Sequence, residues 1–234
     1  MSDARYPLVL LSGMLGDATL WDEVVPPVGD LVEPRPCRID TSDTVSDIAD
    51  EVLQRSPERF AVAGHSLGGI IAMEIIRRAP TRVTRLAILN TSARSGSPEQ
   101  RDQWTRLAQE VRSGGFGAAA DRLATVTLPE CHRTQALVAR SAAMARTVGP
   151  DGFLRQLAAQ QSRPDLRPSL AAVTVPTLVL SGALDDVSRP EMQAEIADRV
   201  GTAVHVVVPA SGHMSPLEAP DAVAAELRRW LLAA

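Results

Sequence analysis

The sequence predicts an α/β protein with a doubly wound, mostly parallel sheet of about six strands and an inserted helical unit. Short apolar segments alternate with longer segments whose apolar residues recur at helical spacing, which is the pattern of buried parallel strands joined by helices. The alternation stops between residues 95 and 167, where helical segments follow one another without a strand signal. Residues 1–94 and 168–234 are therefore predicted to form the core, and residues 95–167 the insert.

The strands are predicted from short apolar runs that are bounded by turn residues. In chain order they cover residues 6–11, 31–39, 60–63, 83–89, 175–180 and 204–208. The second run contains Pro34 and Pro36, which lack main-chain donors, so this strand is predicted to lie at an edge of the sheet.

The core helices are predicted from apolar residues at helical spacing. One covers residues 44–54, one follows the third strand and ends at Pro80, and two more cover residues 189–200 and 221–232. A short helix that reaches Trp21 and Val25 is predicted to be capped by Asp17 or Thr19, because such side chains satisfy free amides at a helix start.

The insert is predicted to contain four helices. The first begins with a capping box formed by Ser97 and Gln100, with Pro98 at the first helical position, and is predicted to end at Gly114 and Gly115. The other three cover residues 118–127, 134–148 and 152–161, and proline or glycine separates them.

Composition and charge exclude several classes of function. The 234 residues carry a net charge of −4 with scattered arginines, so no nucleic-acid partner is expected. Cys37 and Cys131 lie far apart and no His, Cys or Asp cluster has ligand spacing, so the sequence predicts free thiols, no metal and no cofactor. No membrane-spanning run and no signal pattern are seen, which predicts a cytoplasmic protein that does not bind membranes.

The most informative motif is Gly64-His65-Ser66-Leu67-Gly68, a match to G-x-S-x-G. A predicted strand precedes it and a predicted helix follows it, which is the context of a nucleophile elbow. A serine at the tip of so tight a turn adopts a strained backbone, and the helix start behind it favours negative charge. The alternative interpretation is that Ser66 only caps the helix.

Four unusual loops follow predicted strands at their carboxyl ends. They cover residues 12–16, 64–68, 182–186 and 212–214. Open parallel sheets form their binding sites at this edge. We therefore expect these loops to meet at one site.

The chain order of Ser66, Asp185 and His213 resembles that of the α/β-hydrolase family. The segment Leu-Val-Leu-Ser-Gly-Ala-Leu-Asp185 is similar to the family's acid loop, and Ser-Gly-His213 is similar to its histidine loop. The insert occupies the place of the family's helical lid, and the resemblance covers nearly the whole chain. Two departures are the absence of an opening antiparallel hairpin and Ser12-Gly13 where many members have His-Gly.

The resemblance implies roles for five residues. Ser66 would attack a carbonyl carbon, His213 would serve as the base, and Asp185 would orient the imidazole. The main-chain N–H groups of Met14 and Leu67 would form the oxyanion hole.

Some of these assignments have alternatives. Asp186 competes with Asp185, because adjacent acids in a loop cannot be separated by pattern, and either could be a turn residue. His213 could be an ordinary loop histidine. His65, His132 and His205 are interpreted as structural histidines.

The predicted reaction is hydrolysis of a small to medium carboxylic ester or lactone through an acyl-enzyme. The alternatives are C–C bond hydrolysis, thioester hydrolysis, a lyase, a cofactor-free haloperoxidase or perhydrolase, and a non-catalytic ligand-binding protein. Apolar residues of the insert are predicted to line the substrate site, or else to pack the insert onto the core: Leu137, Met144, Phe153 and Leu157. The oligomeric state stays open.

Overall fold

The computed structural model describes residues 5–233 as a six-stranded sheet with helices on both faces. The strands lie in the order β2-β1-β3-β4-β5-β6, and every neighbouring pair is parallel. They are β1 (Tyr6–Leu11), β2 (Val32–Cys37), β3 (Phe60–His65), β4 (Val83–Leu89), β5 (Thr177–Gly182) and β6 (Ala203–Val208). The predicted α/β class is confirmed, and the sheet of the described residues is wholly parallel rather than mostly parallel.

Eight α-helices are found among residues 5–233. They are α1 (Val45–Arg55), α2 (Leu67–Arg78), α3 (Pro98–Glu110), α4 (Phe116–Val126), α5 (Gln135–Ser162), α6 (Pro190–Ala197), α7 (Ser215–Glu218) and α8 (Pro220–Leu232). Asp17 caps a short 3₁₀ helix, Ala18–Trp21, through a hydrogen bond from Thr19 N to its side chain. No helix among residues 5–233 is both long enough and apolar enough to cross a bilayer.

The two faces of the sheet bury separate apolar layers. Along β1, Val9 and Leu11 face the layer that includes residues of α1, α2 and α6, whereas Leu8 and Leu10 face the layer that includes α8. This alternation follows from the two-residue period of a strand. Because both faces are covered, the central strands are apolar throughout, which explains why they were recognisable as unbroken runs.

The edge position of β2 was predicted from its prolines. Pro34 and Pro36 pair in register with Leu8 and Leu10 of β1, and β2 has no second neighbour within the described sheet. An edge strand tolerates proline because its open side has no neighbouring strand, so the missing N–H does not remove a hydrogen bond of the sheet.

Glycine residues interrupt the helices of the insert at two predicted junctions. The first helix ends at Glu110, and the π-helical turn that follows it, Val111–Gly115, leaves helical geometry at Gly114, where φ is 90°. The two helices predicted at 134–148 and 152–161 both lie within α5, which is interrupted at Gly149, where φ is 70° and ψ is 174°. Pro150 follows the kink, and proline at the start of a helical segment removes a donor that has no partner there.

Candidate active site

Ser66 lies at the sharp turn between β3 and α2. Its φ is 53°, a value that costs a non-glycine residue about 1–3 kcal/mol. Every residue from Phe60 to Ile76 except Ser66 is buried. The turn therefore brings one side chain of a buried segment to the surface. A Cβ on Gly64 would lie 2.2 Å from Gly68 O, and one on Gly68 would lie 2.2 Å from Leu11 O. The turn can therefore be this tight only with glycine at both flanks.

Ser66, His213 and Asp185 form one line of hydrogen bonds. Ser66 Oγ lies 3.0 Å from His213 Nε2. His213 Nδ1 lies 3.1 Å and 3.0 Å from the two carboxylate oxygens of Asp185. A carboxylate only accepts, so Nδ1 carries the proton and Nε2 is the acceptor for the serine hydroxyl. The arrangement fits a nucleophile with its base.

The Asp185 carboxylate is buried but well supplied with donors. Its Oδ1 accepts from the main-chain N–H groups of Val187 at 2.9 Å and Ser188 at 2.8 Å. Burial pushes the pKa of Asp185 up, but His213, Ser188 N–H and Asn90 outweigh it, so the pKa lies below its ordinary value. Asp185 is thus held ionised beside the imidazole. Asp186, the alternative acid, is exposed to solvent.

Asn90, at the carboxyl end of β4, joins the acid loop to the histidine loop. Its Nδ2 donates to Asp185 Oδ2 at 3.0 Å and to Gly212 O at 3.0 Å. Its Oδ1 accepts from the hydroxyl of Ser215. Asn90 is fully buried with φ at 50°. No role was predicted for Asn90 from the sequence, although its place directly after a central strand was an available signal.

Glu218 holds the histidine loop from the other side. Its carboxylate accepts from Gly212 N and, at 2.8 Å, from Met214 N. Burial raises the pKa of Glu218, although these two donors act in the opposite direction. The two main-chain groups flank His213, so Glu218 fixes the backbone on which the imidazole is carried. No local pattern in the sequence indicates this contact.

The residues predicted for the oxyanion hole lie beside Ser66. Residues 13–16 form a turn closed by a hydrogen bond from Gly16 N to Gly13 O of 3.0 Å, which we call the oxyanion turn. A Cβ on Gly13 would lie 3.0 Å from Ser66 Cβ. Among residues 5–233, the N–H groups of Met14 and Leu67 donate to no main-chain carbonyl in a turn, loop or helix cap. They are thus available to a ligand at Ser66.

The four residues predicted to line the substrate site are mostly buried. Phe153 and Leu157 are fully buried, Met144 is 2% exposed, and Leu137 is partly buried. A cavity of about 230 Å³ lies next to the oxyanion turn, between the end of β2 and α5. Its insert wall consists of Thr147 and Val148, and none of the four borders it. That these four residues contact the substrate stays a prediction.

His65, which precedes the nucleophile, is buried behind the site. Its Nε2 lies 2.7 Å from His213 O, and because a carbonyl only accepts, Nε2 carries the proton. Burial, together with the nearby His213, lowers the pKa of His65 to about 3. His65 is therefore a neutral ring that anchors the main chain of His213. His205 bonds Ser181 at 2.8 Å, and His132 bonds Ala210 O at 2.6 Å.

His65 should make the fold sensitive to acid. Below pH 6.5 the unfolded chain binds a proton at His65, whereas the folded protein does not bind it until about pH 3. The unfolding free energy should therefore fall as the pH drops through this window, by about 1.4 kcal/mol per pH unit from this group. We expect His65→Gln, which keeps a donor to His213 O, to flatten that slope in urea titrations between pH 6 and pH 4. Equal slopes in the two proteins would contradict this expectation.

Known proteins resemble this chain in sequence and in fold. Residues 8–226 match the sequence model of the alpha/beta hydrolase family. The chain belongs to this family. The hydrolase is 31% identical to the pimeloyl-[acyl-carrier protein] methyl ester esterase of Pectobacterium atrosepticum, over 76% of this chain and 72% of that protein. Its identity to the enzyme of that name from Edwardsiella ictaluri is 27%, over 95% of this chain and 92% of that protein.

Solved structures show the same fold. A thermophilic esterase from Thermogutta terrifontis superposes on the hydrolase with a TM-score of 0.87 and 26% identity, covering 98% of this chain and 90% of that one. The enol-lactonase from Burkholderia xenovorans LB400 has a TM-score of 0.87 at 24% identity, covering 100% and 94%. The second likeness concerns the fold alone. Within residues 5–233 of the hydrolase, no group of three His, Cys, Asp or Glu side chains could hold a metal ion.

Proposed function

We propose that this protein is a serine hydrolase that cleaves a small to medium carboxylic ester through an acyl-enzyme intermediate, with Ser66 as nucleophile. The observation that carries the proposal is the line of hydrogen bonds from Ser66 Oγ through His213 to Asp185. Serine is a weak nucleophile at its free pKa, and this line supplies the base that activates it. Esterase relatives support ester hydrolysis as the reaction.

The proposed reaction begins at Ser66. Ser66 Oγ forms a bond to the ester carbonyl carbon while its proton passes to His213 Nε2, and Asp185 stabilises the resulting imidazolium. The carbonyl oxygen becomes an oxyanion that accepts from Met14 N–H and Leu67 N–H. When the C–O bond breaks, the departing alcohol takes the proton from His213. Water then attacks the acyl-enzyme by the same route and releases the acid.

The helical insert, residues 95–167, is proposed as the lid of this site, with residues 1–94 and 168–234 as the core. Val148 and Thr147 of α5 form one wall of the cavity beside the oxyanion turn. A lid in this position would set the size of the bound ester. The predicted cytoplasmic location and the absence of a nucleic-acid partner stay predictions.

The relatives favour one class of ester. Two curated relatives are named for the methyl ester of a pimeloyl group on acyl-carrier protein. We therefore propose methyl esters of medium-length acyl chains, free or attached to a carrier protein, as the first candidates.

A substrate panel tests the proposal. It contains p-nitrophenyl esters of rising acyl length, several lactones, and methyl esters of dicarboxylic acids with and without acyl-carrier protein. We expect turnover of the esters, with a preference for methyl esters over lactones. Preference for lactones would overturn the substrate class, and no turnover of any member would overturn the esterase.

A further inference from the structure

The oxyanion turn is held by a side chain of the insert. Leu15 N donates to Gln156 Oε1 at 2.9 Å, across 141 residues of sequence, and the contact is buried. We propose that Gln156 is a positioning residue that keeps the oxyanion turn in its active conformation only while the insert is seated on the core. The inference rests on the proposed function, because it assumes that Met14 N–H stabilises the oxyanion.

The conformation of the turn explains why it needs support. Leu15 is the third residue of the turn and has φ at 61°. A positive φ at this position is the mark of a type II turn, which favours glycine there. The competing type I turn differs by a flip of the peptide between Met14 and Leu15 and suits leucine better. A leucine at position 15 therefore disfavours the observed type II turn.

Gln156 opposes that flip directly. In the observed turn the Leu15 N–H points to Gln156 Oε1, and the flip would replace this donor by the carbonyl of Met14. Two acceptor oxygens would then face each other in a buried place, where an unpaired polar group is costly. The hydrogen bond from Leu15 to Gln156 is thus lost in the type I turn. Gln156 therefore favours the type II turn, whereas a leucine at position 15 favours the type I turn.

The burial of Gln156 points to a specific role. Gln156 is fully buried in α5, and its Nε2 has no hydrogen-bond partner among residues 5–233. A buried amide group that has a hydrogen-bond partner at only one end lowers the stability of the fold relative to an apolar side chain of the same size. The bond to Leu15 is the one hydrogen bond that this side chain makes among the described residues.

Packing links the turn to the insert a second time. The Leu15 side chain lies in an apolar cluster with insert residues of α3, α4 and α5, including Trp104, Phe153 and Leu157. Met14 packs partly against the same cluster. Movement of the insert away from the core would therefore remove both the acceptor and the apolar contacts of the turn. Met14, which carries the proposed oxyanion donor, would then lose part of the packing and the neighbouring hydrogen bond that fix its conformation.

The test compares Gln156→Met with wild type on one p-nitrophenyl ester. Methionine has a similar volume but offers no comparable acceptor, so we expect kcat to fall about 10- to 100-fold, the scale of a misplaced catalytic group, with KM changed little. The matched control is Gln160→Met, one turn further along α5. Gln160 is also buried, but its Oε1 accepts from Arg163. We expect this variant to keep its kcat.

A second variant pair isolates the turn from general damage to the insert. Leu15→Gly removes the residue that opposes a positive φ, so Gln156→Met should cost much less kcat in the Leu15→Gly background. An equal loss in both backgrounds would overturn the inference, and so would a normal kcat in Gln156→Met or an equal loss in Gln160→Met. If Gln156→Met does not fold, Gln156→Asn replaces it, since the shorter amide keeps its polarity but cannot reach Leu15.

The same assay separates this inference from the proposed function. Wild-type turnover that survives in Ser66→Ala would overturn the serine hydrolase and this inference with it. Turnover that depends on Ser66 but not on Gln156 would overturn the inference alone.

Discussion

Ser66→Ala is expected to abolish ester turnover, with a fall in kcat on the order of 10⁶-fold, because removal of the nucleophile alone has this effect in serine hydrolases. The alanine cannot form the acyl-enzyme, and His213 loses the group from which it takes a proton. Labelling by a fluorophosphonate should disappear as well. The fold should persist, since Ser66 is only partly buried and its side chain bonds only His213 among the described residues.

Ser92→Ala is the matched control for this prediction. Ser92 follows the neighbouring strand β4, is 8% exposed, and its hydroxyl accepts from Arg94 N. We expect this variant to keep its labelling and turnover. Labelling of a folded Ser66→Ala protein would show that the reactive serine lies elsewhere and would contradict the assignment.

Asp185→Asn should lower kcat by about 10⁴-fold, the loss found when the acid of a serine triad is replaced by its amide. An asparagine can turn its Nδ2 toward His213, which favours the wrong tautomer of the imidazole and leaves no acceptor for the Nδ1 proton. It also removes the charge that the imidazolium needs in the transition state. KM should change far less, because Asp185 lies behind the imidazole and is 2% exposed.

The neighbouring acid provides the control. Asp186 is exposed and has no hydrogen bond to His213 among the described residues. We expect Asp186→Asn to retain nearly full turnover and the same pH profile as the wild type. The reverse result, in which Asp186→Asn is inactive and Asp185→Asn is active, would move the assignment by one residue.

Much of the fold was predictable because its signals are local. The strands of the core are short apolar runs, the helices carry apolar residues at a period of 3.6, and Ser97 caps α3 where a capping box was predicted. The predicted start of β5 was two residues early, since an apolar run does not show where pairing begins. The interruption of α5 at Gly149 was predicted from Gly149 and Pro150, because these residues end or bend a helix through purely local backbone limits.

The candidate site was predictable only in part. G-x-S-x-G identified Ser66 because the elbow is made by adjacent residues, and loop position identified His213. The supporting contacts left no such pattern. Asn90 reaches Asp185 across 95 residues, and Gln156 reaches Leu15 across 141. A polar side chain gives no sign in the sequence of which distant main-chain group it will meet.

The sequence by itself determined the order and type of the elements, the tight turn at Ser66 and the prolines that confine β2 to an edge. These features depend on steric limits and periodicities that act within a few residues. Only the tertiary structure placed Asp185 rather than Asp186 beside His213, joined the acid and histidine loops through Asn90, and brought an insert side chain to the oxyanion turn. Those outcomes depend on which strand ends lie side by side in the folded sheet, and burial then leaves each polar group no partner except the one that the fold has placed beside it.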